Sequence, residues 1–162
     1  MSNEFVKRVA AALLVLLAAI PSASSEQQVF FRKSLTATER HCLEEMLRSG
    51  HWRVTPQFHH EMIAAAVVAR PELIAKRQKQ YIFVITDFAS CGTAGCSMLI
   101  GEPGKDGICR EIYSGSGFVN AISVLPERDH GYRRLYTPCE LRFDGREYQQ
   151  VREECPSLNV QR

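Results

Sequence analysis

Neither sign of charge dominates this sequence, which sets 20 Lys+Arg against 18 Asp+Glu in 162 residues. Removing the expected leader takes away Lys7, Arg8 and Glu4, leaving 18 (20 − 2) against 17 (18 − 1). Such a balance gives no electrostatic reason to bind nucleic acid. The densest basic stretch, Lys76-Arg77-Gln78-Lys79, is short and is expected to be a solvated helix end or loop. After Ile20 no segment is apolar enough to span a bilayer, so no membrane span is expected in the mature chain. Internal repeats and low-complexity tracts are also lacking, which excludes a repeat array.

The motifs of common enzyme chemistry are missing as well. "HHEM" at residues 59–62 has the start of a metalloprotease helix, but the second histidine would fall at Ala64, so two imidazoles cannot meet on one helical face. His59 and Glu61 are therefore expected as exposed polar residues on an amphipathic helix, and His41 and His130 are isolated. "SGSG" at 114–117 lacks the Gly-x-Ser-x-Gly spacing of a nucleophile elbow, so Ser114 and Ser116, next to Gly115 and Gly117, read as turn residues. Asp129 and Asp144 fall in expected turns, and Asp87 ends a strand, where its hydrogen bonds are expected to shape the cysteine loop, with no second carboxylate to form an acid pair. No catalytic residue, metal or cofactor is expected.

What is present begins with an export signal. Lys7 and Arg8 precede the apolar run Val9 to Ile20, then Pro21 and small residues follow. This is the pattern of a secretory signal peptide over residues 1–25, with cleavage after Ser25 or Ser24, and the run is too short to cross a membrane. Residues 26–162 are then expected to form a single exported domain, large enough for one core. A periplasmic or secreted location follows. All six cysteines, Cys42, Cys91, Cys96, Cys109, Cys139 and Cys155, lie in that region, and an even count in an exported chain favours disulfides.

Six cysteines allow 15 pairings. One has local support: Gly92 and Gly95 let the "CGTAGC" segment turn sharply, which favours Cys91 with Cys96. A redox site would need Cys-x-x-Cys at a helix start, and a zinc site a second close pair, so a structural loop is favoured. A Cys42–Cys155 bridge would tie the helical front to the tail.

Local patterns predict an α+β fold, with two N-terminal helices packed on an antiparallel sheet of about five strands. Thr36 and Glu39 have capping-box spacing before an apolar stripe of Leu43, Met46 and Leu47, predicting a helix over 37–48. Thr55-Pro56 opens a second helix that is expected to reach Pro71. "YIFVITDF" at 81–88 is β-branched or aromatic on both faces, the mark of a strand buried on two sides. "CSMLIGE" and "ICREIY" then form a meander, "FVNAISVL" a strand ending at Pro126, and Asp144-Gly145 a two-residue hairpin. That hairpin would set Phe143 opposite Arg146, Leu141 opposite Tyr148 and Cys139 opposite Gln150, with Cys139, Leu141 and Phe143 on the core face.

"CGTAGCSMLIG", "SVLPERDHGYRRLY" and "LRFDGREY" together resemble a recurrent set of small exported bacterial proteins that carry a Cys-Gly-x-x-Gly-Cys segment and have no established activity. This likeness covers about residues 81–150. The loop alone is similar to that of the Ivy family of periplasmic lysozyme inhibitors, where a disulfide-closed Cys-x4-Cys loop enters the lysozyme cleft. Here that loop holds Gly92, Thr93, Ala94 and Gly95, whereas the family's carries polar and histidine side chains. The expected function is a noncatalytic periplasmic protein-binding module, with the Cys91–Cys96 loop and nearby strand ends as contact surface and an envelope protein or lysozyme as partner. Lysozyme inhibition and thiol–disulfide exchange are the alternatives.

Overall fold

The computed structural model describes residues 25–49, 55–74, 80–93 and 95–151. The expected leader through residue 24, the basic stretch at 76–79, Ala94 and Cys155 lie outside the described residues. The first helix, α1 (Ala37–Ser49), starts where the capping box places it. Glu39 Oε2 accepts the Thr36 N–H at 2.7 Å, and Thr36 Oγ1 accepts the Glu39 N–H at 3.4 Å. Thr55 caps α2 (Pro56–Ala65) by accepting the Phe58 N–H.

The second helix ends well short of Pro71. Ala66 turns to an extended backbone, and β2 (Ala66–Ala69) follows without a linker. The "AVVA" run is buried throughout and pairs with β3 (Tyr81–Ile85), so β-branched packing in a sheet overrides the helical pattern. From β3 the chain reaches β4 (Cys91–Gly92), β5 (Gly95–Pro103) and β6 (Cys109–Gly117). In this first sheet β5 is central, with β6 on one side and both β3 and β4 on the other. The expected turn at Ser114–Gly117 is strand, because pairing with β5 outweighs the weak β preference of serine and glycine.

A second antiparallel sheet, not the single one expected, holds β1 (Gln27–Gln28), β7 (Ser123–Asp129), β8 (Tyr132–Thr137), β9 (Cys139–Phe143) and β10 (Tyr148–Gln150) in the order β1-β7-β8-β9-β10. Strand β7 begins five residues after Phe118 and runs through Pro126, where pairing with β8 is interrupted and no N–H is needed. The last hairpin has a four-residue loop: Phe143 pairs with Tyr148, and Asp144 Oδ1 accepts the Arg146 and Glu147 N–H groups. Cys139, Leu141 and Phe143 do share the buried face.

Two cores result, one on each face of the first sheet. Tyr81, Phe83, Ile85 and Leu99 meet Leu43, Met46, Leu47 and Met62 of the helices. Ile82, Val84, Met98 and Ile100 meet Val124, Leu135, Leu141 and Phe143 of the second sheet. Every residue of β3 is therefore buried, because the sheet is the middle layer of three.

Cys42 bonds to Cys109, not Cys155, and so joins α1 to the start of β6. Gly101 of β5 lies beneath this bridge, where a Cβ would come within 2.9 Å of Cys42 Sγ. Cys91 bonds to Cys96 as expected, and Cys139 is also disulfide-bonded. These bonds are compatible with an oxidising compartment. Among the described residues no helix is long and apolar enough to cross a membrane.

Candidate functional site

Strands β3 and β4 run along the same edge of β5, but they are not continuous. Ile85 pairs with Ser97 and Cys91 with Cys96, so the chain advances six residues while its partner advances one. Residues 86–90 are looped out of an otherwise regular hairpin. The expected strand through Phe88 thus stops at Ile85, and Phe88 sits on the extrusion with its side chain 100% exposed.

Short-range bonds fix both arms of this projection. Thr86 donates its N–H and hydroxyl to the Ala65 carbonyl at 3.2 and 2.7 Å, tying the first arm to the end of α2. Asp87, expected to shape the cysteine loop, does so: Oδ1 accepts the Ser90 N–H at 2.7 Å and Oδ2 its hydroxyl at 2.9 Å. Ser90 in turn offers its carbonyl to the N–H and hydroxyl of Ser97. The Cys91–Cys96 bond then closes the second arm, with its Cα atoms 3.8 Å apart.

The expected loop residues divide into two kinds. Gly95 has φ +106°, and a Cβ there would lie 2.8 Å from the Gly117 carbonyl oxygen, so backbone packs directly on β6. Gly92 has open space around it and is exposed with Thr93. Phe118, directly after Gly117 at this end of the sheet, is also exposed. Both cysteines lie on strands, so neither sits at the helix N-terminus that a redox motif uses.

The remaining residues of interest are dispersed. His59 and His60 line a hollow of about 130 Å³ between the helices with Glu44 and Arg48, and Glu61 is exposed beside them. His41 faces Glu45 at 3.6 Å, and His130 turns between β7 and β8. Ser114 and Ser116 are exposed strand residues, Asp129 pairs with Arg134, and Asp144 caps its loop. Among the described residues no three His, Cys, Asp or Glu side chains gather as a metal-holding group.

Two buried carboxylates had no sequence signal beyond their immediate neighbours. Burial pushes the Glu39 carboxyl up, but Arg70, the Thr36 N–H, Arg32 and the Thr36 hydroxyl outweigh it and hold its pKa at about 2. Arg70 Nε donates to Glu39 Oε1 at 2.6 Å, and Arg32 donates to both oxygens. This links the N-terminal segment, α1 and the end of β2. Glu102 on β5 accepts from Arg110 and from Tyr132 Oη, each at 2.7 Å, and so joins the two sheets. Burial first, and then this bond to Glu102, push the Tyr132 phenol up to about 12. A groove of about 570 Å³ lies between β6 and β10, lined by Glu111, Tyr113, Ser114, Glu147, Tyr148 and the two glutamines 149 and 150.

No protein-family model, curated protein or solved structure matches this chain.

Proposed function

We propose that this chain is a noncatalytic periplasmic binding module that presents residues 86–93 to a concave site on a partner protein. The observation that carries this reading is Phe88, wholly exposed on a projection whose arms are fixed by hydrogen bonds and a disulfide. Aromatic anchors supply much of the energy of protein interfaces, and fixing the loop beforehand lowers the entropy lost on binding. The projecting form demands a cleft or pocket as its counterpart. Asp87 is the single charged side chain in the segment, and it already accepts two hydrogen bonds from Ser90.

A Phe88→Ala variant tests this directly, because a fully exposed side chain contributes little to the fold. Cross-linking in the envelope of an expressing cell should yield a partner with the native chain and lose it with the variant, while both melt at the same temperature. Equal capture by the two proteins would refute the role of the projection. Lysozyme inhibition is the second reading, favoured by the Cys-x4-Cys bond that closes a projecting hairpin. A panel of lysozyme classes assayed with the oxidised protein should then show dose-dependent inhibition that the Phe88→Ala variant lacks.

A further inference from the structure

The two disulfides defined here differ in position. Cys42 and Cys109 are 3% and 5% exposed, packed under α1 against Met46 and Gly101. Cys91 and Cys96 are only partly buried, at the tip of a sheet. Thiol–disulfide exchange requires a thiolate to reach one sulfur along the bond axis, so access decides which bond exchanges first.

The Cys91–Cys96 bond is also a principal tie on the projection. Strand β4 is two residues long, against five register pairs that hold β3 to β5. Without the bond, the arm from Ser90 onward keeps the Ser97 hydrogen bonds and the Gly92–Gly95 pairing. Ile85 remains anchored by β3 and Ser97 by β5, so release would be confined to the segment between them.

We infer that the Cys91–Cys96 bond is a selectively reducible clamp, and that a dithiol opens it to release Phe88 from its fixed presentation while the Cys42–Cys109 bond stays intact. One thiolate of the dithiol attacks a sulfur of the pair and forms a mixed disulfide, expelling the other cysteine as thiolate. The second dithiol sulfur then resolves the intermediate. Two electrons and two protons pass to Cys91 and Cys96, and the dithiol leaves as its own disulfide. The effect on partner binding rests on the projection being the contact surface, whereas the clamp itself does not.

The test needs no partner. The native protein is treated with limiting dithiothreitol, alkylated and mapped by mass spectrometry, with chymotryptic cleavage after Phe88 followed in parallel. Cys91 and Cys96 should be alkylated before Cys42 and Cys109, and cleavage at Phe88 should become at least about tenfold faster as local opening increases. A Cys91→Ala, Cys96→Ala variant should show the fast cleavage without reductant. Alkylation of all four cysteines at one rate, or cleavage at Phe88 unchanged by reduction and by the double variant, would overturn the inference. Failure of Phe88→Ala to affect partner capture would instead count against the contact surface and leave the clamp standing.

Discussion

Replacing Glu39 by Gln should make the stability of this protein much less dependent on acid. The Glu39 carboxyl has a pKa of about 2 in the fold against an ordinary value of 4.5, held there by Arg70, Thr36 and Arg32 against the cost of burial. A folded-state pKa below the unfolded one gives stability that is fully present above about pH 4.5 and disappears as pH falls toward 2. A shift of that size corresponds to at most about 3 kcal/mol. Arg32 and Arg70 are 40% and 42% exposed, so solvent screens both partners, and about 1.5–2 kcal/mol is the expected share. In urea, with a slope of about 1.5–2 kcal/mol per molar for a domain of this size, the variant's midpoint at pH 7 should fall by about 1 M. The measurement is a pair of urea curves at each of several pH values from 7 down to 2. The two midpoints should converge as the native carboxyl is protonated. Parallel curves, with a constant gap down to pH 2, would show that loss of shape and not loss of charge causes the difference.

The two glycines of the cysteine loop should respond differently to alanine. Gly95→Ala combines a positive φ with a Cβ 2.8 Å from the Gly117 oxygen and should cost about 1–3 kcal/mol, whereas Gly92→Ala, with nothing near it, should stay within about 0.5 kcal/mol, as thermal melts would show. Removing Cys42–Cys109, which closes 67 residues, should cost about 4 kcal/mol on the chain-entropy estimate, and removing Cys91–Cys96, which closes five, about 2 kcal/mol. A larger loss for the short loop would mean that it supports more of the fold than its own hairpin.

Local signals were the legible part of this fold. The Thr36–Glu39 box and Thr55-Pro56 act over three or four residues, and each starts its helix as expected, while Asp87 shapes the cysteine loop through Ser90. The "AAAVVAR" run misled because alanine tolerates either state, and no glycine or proline marks the change at Ala66. At the last hairpin the expected and observed registers differ by two residues. Such a shift keeps every side chain on its face, so alternation cannot separate them, and the Phe143–Tyr148 pairing selects the longer loop. The doubly buried pattern of β3 required a cover on each face, yet helices alone could cover only one. The second sheet that completes it is assembled from Gln27 and from residues beyond Ile122, a juxtaposition with no local trace. For the site, the two-glycine loop was visible, but Phe88 was assigned to the buried strand because its composition continues that of "YIFVI".

The extrusion at 86–90 separates two tasks that a binding loop usually combines. Pairings on either side, Ile85 with Ser97 and Cys91 with Cys96, define where the segment leaves and rejoins the sheet. The intervening five residues hold to the body at their two ends, through Thr86 to Ala65 and Ser90 to Ser97, and neither core depends on the Phe88 ring between them. Such a segment can be lengthened, shortened or exchanged with little effect on the packing beneath it. The hairpin is therefore a ready scaffold for displaying foreign peptides, and the same tolerance would let natural variants change partners without first solving the folding problem again.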